Sequence, residues 1–157
     1  MTENTPSIDP KDEAEIRAVI LDYVDANDSK DFARIANAFT DTGTLGNEFA
    51  KYIPGGESFN GVMPGNGGAS VARNVGGLMG PLDATQHFLG AMWFEPTESG
   101  IRTRTQVIAH HHRAGGFYHS GGTYIDDFVQ TENGWRIQTR VLYTIWTTGD
   151  IKVVTGD

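Results

Sequence analysis

The chain has 157 residues, 20 of them glycine, with 20 acidic side chains against 12 basic ones, a formal net charge of -8 and no cysteine. That length supports one domain around a single core, and a negative chain with scattered arginines disfavours nucleic acid as a partner. The absence of cysteine excludes disulfides, thiolate nucleophiles and cysteine metal sites.

Residues 1–10 read as a flexible polar start without a basic and apolar leader, no stretch is long enough to span a bilayer, and the expectation is a cytoplasmic protein. Asp9 then reads as a helix cap, with Pro10 at the first helical position and Asp12, Glu13 and Glu15 where the helix dipole favours acids. Ile16, Val19, Ile20, Tyr23, Val24 and Asn27 recur at three- and four-residue intervals, so one apolar stripe runs to about Asn27. Phe32, Ile35, Ala36 and Phe39 predict a second short helix, ended by Asp41, Thr42 and Gly43.

Glycine and proline crowd the stretch from Gly46 to Gly80, a loop-rich insert in which Ala69 to Met79 forms a weak helix. From Ala84 onward the pattern turns to strands rich in Thr, Val, Ile and aromatics: Thr85–Phe94, Ile101–Arg113, Gly121–Gln130 and Trp135–Thr147. Breaks of two to three residues between them predict an antiparallel meander. Helices first and a sheet after define an α+β domain over residues 11–147, with a C-terminal tail over 148–157.

Asp28 lies at the edge of the apolar stripe, unlike the solvated Asp22 and Asp25, and partial burial of a carboxylate is one way an acid or base is prepared. The competing role is as a cap for the second helix. His87 falls, by strand alternation, on the face of Leu89, Ala91 and Trp93, where it is either a satisfied core residue or a base in a pocket. An acidic partner decides for the base, since a carboxylate fixes the imidazole tautomer. In the run His110-His111-His112 the outer two share a face, and together with His87 they are weighed as a three-histidine metal site that no further ligand completes. Pro64-Gly65-Asn66-Gly67-Gly68 lacks the ending of a phosphate loop, and no serine stands in a hydrolase elbow.

Thr85-Gln86-His87, then Gly122-Thr123-Tyr124-Ile125-Asp126-Asp127-Phe128 and Gly134-Trp135-Arg136-Ile137, in this order after two acid-rich helices, resemble the SnoaL-like branch of the nuclear transport factor 2-like superfamily over about Lys11 to Trp146. The resemblance implies a cone-shaped α+β barrel, a strongly curved and mostly antiparallel sheet wrapped on the N-terminal helices around one deep apolar pocket. Asp28 with Thr85-Gln86-His87-Phe88 is most similar to the scytalone dehydratase and hexachlorocyclohexane dehydrochlorinase types, cofactor-free lyases with an Asp-His pair. The pair then falls on Asp28 and His87, and the dehydratase's second histidine on His112, which makes these three the expected catalytic residues. The dehydratase's two water-activating tyrosines fall on Asn27 and Asn47, and the dehydrochlorinase's helical lysine on Tyr23, so neither substrate is implied.

The expectation is a cofactor-independent lyase, or a related isomerase or cyclase, for a small hydrophobic molecule of aromatic, polyketide-like or terpenoid kind. Tyr23, Asn27, Asn47, Trp93, His110 and Tyr124 are its expected substrate-binding residues, and neither metal nor cofactor is expected. The alternative is non-catalytic binding of a hydrophobic ligand or a protein partner in the same pocket. A strongly curved sheet leaves an apolar outer face, for which Trp146, Leu142 and Val107 are proposed, so a homo-oligomer is expected, and the lyase resemblance implies a trimer before a dimer.

Overall fold

The Asp9 carboxylate accepts the backbone N–H of Lys11 at 2.8 Å and Pro10 opens the helix, so α1 spans Pro10–Asp28 in the computed structural model, which describes residues 7–156. Residues 1–6, most of the stretch expected to be flexible, lie outside the described residues. Of the stripe read from the sequence, Ile16, Ile20, Tyr23, Val24 and Asn27 are buried and Val19 is half-buried against the core, while Ala26 is buried with them. Lys30, at φ 60, turns the chain out of the helix directly after Ser29, which leaves Asp28 as the last helical residue.

The second helix is shorter than expected. α2 covers only Phe32–Ile35, a 3-10 turn follows over Ala36–Ala38, and from Phe39 the chain extends into a strand, β1, that continues to Phe49. The sequence of β1, with Asp41, Gly43, Gly46 and Asn47, carries little strand propensity of its own. It is extended because it lies parallel to the last strand of the sheet, paired from Phe39 with Ile137 to Phe49 with Thr144. Gly43 sits where a Cβ would come within 2.9 Å of the Ile137 carbonyl, so glycine permits the approach.

After the short strand β2, Gly61–Val62, the insert forms α3, Gly68–Met79, matching the helix expected there. Its Gly76 lets the helix settle on the Phe32 ring, 3.3 Å from where a Cβ would stand. The four expected strands all form, as β3 (Ala84–Pro96), β4 (Ile101–Arg113), β5 (Gly116–Thr131) and β6 (Gly134–Gly149). The sheet order is β2-β1-β6-β5-β4-β3, antiparallel except between β1 and β6. It curves around the helices without closing, so β2 and β3 remain edges.

The core between helices and sheet is apolar: Ile16, Ile20 and Ile35 from the helices meet Phe128 and Ile137 from the strands, none more than 1% exposed. Burial of each such side chain stabilises the fold by about 1.5–3 kcal/mol. The C-terminal tail is also structured, with Lys152–Thr155 forming a short helix, α4, against β4 and β5. Among the described residues no helix is long and apolar enough to cross a membrane.

One irregularity in the sheet governs the site. The β3–β4 ladder pairs Met92 with Thr105 but Leu89 with Val107, so an extra residue bulges out of β3 near Gly90 and Ala91. A bulge reverses which residues face the core on its far side. Met92 and Phe94 point inward on one side of it, Leu89 and His87 on the other.

Candidate active site

Between the concave face of the sheet, α1, α3, α4 and the β1–β2 connection lies a half-open cavity of about 180 Å³. That is somewhat larger than the roughly 150 Å³ apolar cavity that holds benzene in an engineered protein, so one or two fused rings fit. Most of its wall is apolar, with Leu45, Met63, Val75, Met79 and Leu142 among the contributors.

Where α1 ends, Asp28 meets the first residues of β3. Its Oδ1 accepts Nδ1–H of His87 at 2.6 Å and the Thr85 hydroxyl at 3.0 Å, and its Oδ2 accepts the His87 backbone N–H at 2.8 Å. Burial opposes the charge on this carboxylate, but the hydrogen bonds and charge of His87 with the Thr85 hydroxyl outweigh it and hold its pKa below the ordinary value. Thr85 and His87 stand two residues apart on one face of β3, so the strand's pleat brackets the carboxylate. With Nδ1 committed to Asp28 as a donor, Nε2 of the neutral ring is the basic nitrogen. The His87 side chain, 5% exposed, lines the cavity.

His111 is the second histidine of the cavity. It pairs across the ladder with Thr85 and its ring lies edge-on to that of His87, centroids 6.0 Å apart. Its Nδ1–H donates to the Tyr118 carbonyl at 2.9 Å, which leaves Nε2 as an acceptor. Burial, with the neighbouring His87 and His119 adding to it, drives its pKa down to about 4 against a weaker opposing effect of the Tyr118 carbonyl. The ring is therefore neutral at ordinary pH.

Of the residues expected from the sequence, Asp28 and His87 come together as a pair, and Tyr23, Asn27, Asn47 and Tyr124 all line the cavity. Three do not. His112 and His110 lie on the convex face, where His112 Nε2 is 3.4 Å from His119 Nε2 and the His110 ring packs against Phe88 and His119. The inward histidine is His111, because odd-numbered residues of β4 face the core. Trp93 is 45% exposed and stacks outside the sheet on Arg104, since the bulge separates its face from that of His87. The same geometry dissolves the three-histidine metal site: His87 and the pair His110 and His112 are on opposite sides of the sheet. Val107 and Leu142, proposed for an outer face, point inward as well, while Trp146 does lie outside, its indole covering Gly121.

Sequence reasoning also missed wall residues in elements it did not foresee. Phe49 comes from β1, Phe59 from a 3-10 turn, and Ile151 and Val154 from the C-terminal tail. Only β4 carried a usable signal: the alternation Ile101, Thr103, Thr105, Val107, Ala109 puts His111, not His112, on the apolar side.

An α+β sheet curved over an Asp-His pair in an apolar cavity defines a class of fold, and the chain matches the SnoaL-like domain family over residues 10–141. It belongs to that family. Among solved structures it is similar to the Kfla4162 protein of Kribbella flavida, at 19% identity and TM-score 0.75 over 92% of this chain and 97% of that one. A protein of Novosphingobium aromaticivorans provisionally assigned as a scytalone dehydratase matches at 20% identity and TM-score 0.71, covering 89% and 88% of the two chains. A type 2 hexachlorocyclohexane dehydrochlorinase matches at 14% identity and TM-score 0.68, covering 90% and 93%. At these identities the likeness establishes the fold. No curated protein matches the chain.

Proposed function

We propose that this chain is a cofactor-independent lyase of the elimination type, or a closely related isomerase, acting on a small hydrophobic molecule of aromatic, polyketide-like or terpenoid kind. The observation that carries the reading is the 2.6 Å hydrogen bond from His87 Nδ1 to a carboxylate inside an otherwise apolar cavity. Structural relatives named as a dehydratase and a dehydrochlorinase support it.

In this mechanism His87 Nε2 takes a proton from a carbon next to an activating group, and the C–H electron pair becomes the new double bond. The leaving group departs from the adjacent carbon with its own bonding pair; a departing hydroxide recovers the proton from the imidazolium as water. In an isomerisation the imidazolium returns the proton to a different carbon. Asp28 holds the imidazole in the tautomer that exposes Nε2 and stabilises the cation formed. Neutral His111 offers an acceptor to a substrate hydroxyl.

Solvent exchange of an enolisable probe tests this without the natural substrate. With 2-tetralone in deuterium oxide, followed by NMR, the protein accelerates loss of the α-protons, His87→Ala abolishes the acceleration and Asp28→Asn reduces it at least tenfold. Both variants keep the thermal transition within a few degrees. Full exchange activity in either variant overturns the dyad. Binding of the probe without any exchange supports a ligand carrier instead.

A further inference from the structure

Below the cavity floor the sheet carries an arrangement that the proton-transfer reading does not use. Arg140 on β6 and Asp126 on β5 form a two-pronged ion pair, with Arg140 Nε and Nη2 each 2.7 Å from a carboxylate oxygen and both side chains wholly buried. The guanidinium is flanked by two phenol rings, 4.3 Å from the centroid of Tyr23 and 4.2 Å from that of Tyr124. Those two rings meet edge to face at 6.2 Å and both line the cavity. The cationic end of the pair thus backs directly onto the cavity floor, while Asp126 is no part of the wall.

Unmet hydrogen-bonding capacity concentrates at the same place. Among the described residues, five buried side-chain polar atoms have no partner, and four gather here: Asn27 Oδ1 in the cavity wall and, behind it around the ion pair, Arg140 Nη1, Thr103 Oγ1 and Thr105 Oγ1. Thr105 pairs across the ladder with Tyr124 and Thr103 with Asp126. Asn27, one helical turn beyond Tyr23 on α1, is 3% exposed and lines the cavity. Native interiors leave few such atoms unpaired, and a cluster of them calls for an explanation. The ion pair itself accounts for Asp126 and for two of the Arg140 nitrogens, but it does not account for Asn27 Oδ1, which lines the cavity with no partner.

We propose that this floor is a binding site for the oxygen of a phenol, enol or enolate, held by the Tyr23 and Tyr124 hydroxyls with the Asn27 amide beside them. A planar one- or two-ring ligand bound so has its oxygen at the floor and its opposite edge toward β3. Burial keeps both phenols protonated, so they donate. A cation behind the rings makes them stronger donors to an oxygen that gains negative charge. That the edge near β3 carries the reacting C–H rests on the dyad reading; the oxygen site does not.

Binding of naphthalene and 2-naphthols to the whole protein, followed by fluorescence, tests the site apart from any reaction. We expect 2-naphthol to bind at least tenfold more tightly than naphthalene, and 2-naphthols with electron-withdrawing substituents to bind progressively more tightly as their acidity rises. Tyr23→Phe and Tyr124→Phe, which keep the rings that flank Arg140, each reduce 2-naphthol affinity about tenfold and leave naphthalene unchanged. His87→Ala leaves the preference for 2-naphthol intact. Equal affinity for naphthol and naphthalene in the wild-type protein overturns the site, and so does a preference that survives both tyrosine substitutions. No tetralone exchange by the wild-type protein, with the naphthol preference present, counts against the dyad alone.

Discussion

The concave and convex faces of the sheet are built from the same residue types with opposite consequences. Asp126 and Asp127 are neighbours on β5, each paired with an arginine by two hydrogen bonds. Asp126 and Arg140 are wholly buried, whereas Asp127 and Arg102 are 34% and 47% exposed. The five histidines divide in the same way. His87 and His111 each tie Nδ1 to an oxygen and line the cavity; His110, His112 and His119 pack outside the sheet on one another and on aromatic rings. What distinguishes the members of each set is which side of the pleat they occupy, since that decides whether a charge or a lone pair is screened by water or left to act in a low dielectric.

The most severe way to break this division is to erase the bulge that reverses β3. Deleting Ala91 restores continuous alternation, and His87 then moves to the convex face with His110 and His112. The tetralone exchange falls to the level of His87→Ala, a loss of about 10²–10⁴-fold for a positioned general base. His110→Ala, His112→Ala and His119→Ala leave the rate unchanged. A drop tenfold or greater in any of these three moves part of the chemistry to the outer face and undoes the division.

Next in size is the buried ion pair. Replacing Arg140 by Met strands Asp126 in the core and costs about 3–5 kcal/mol in urea-unfolding stability, and replacing both partners by apolar residues recovers most of it. A single substitution costing under about 1 kcal/mol shows that water reaches this place.

His111 gives a pH signature of similar origin. Its folded pKa, near 4, is below the ordinary 6.5, so between those values the unfolded chain binds the proton that the folded chain resists. Stability from this group is complete above pH 6.5, falls as the pH drops toward 4, and the loss amounts to about 3 kcal/mol. His111→Asn flattens that part of the pH–stability curve; an unchanged slope shows that another group causes it.

The sequence announces the parts of this molecule that local rules control. The Asp9 cap and apolar stripe of α1, the four long strands and the helix in the insert follow from capping, periodicity and β-propensity. Asp28 and His87 were legible as a pair once the strand order resembled a known family. β1 was hidden because its Gly, Asp and Asn residues are extended by β6 and not by their own preference. The second histidine and Trp93 were misassigned for separate reasons. Alternation counted along β3 without the bulge puts Trp93 on the face of His87, whereas His112 followed from the family resemblance and ran against β4's own alternation, which buries the odd-numbered residues. No local feature of Leu89-Gly90-Ala91-Met92 marks the slip except the glycine, and glycine is common in this chain. Tail residues such as Val154 joined the cavity through packing that the tail's own sequence does not specify.

The smallest effect belongs to the outer pair and completes the contrast with Arg140. Hydrogen bonds from Arg102, with a smaller part from Thr139, outweigh the partial burial of Asp127 and hold its pKa below the ordinary value. Stability from this carboxylate is therefore present above its unfolded pKa and lost as the pH falls through the folded one. With both partners more than a third exposed, water and salt screen most of the attraction, and exposed pairs of this kind contribute about 0.2–1 kcal/mol. Arg102→Met accordingly costs no more than about 1 kcal/mol at low salt, and the difference from wild type shrinks toward zero in 1 M sodium chloride, where charges beyond about 3 Å are screened. Arg140→Met keeps its penalty in the same salt, because no counter-ion reaches Asp126. If the two substitutions respond to salt alike, burial is not what separates the faces, and the case for a distinct electrostatic interior beneath the cavity fails with it.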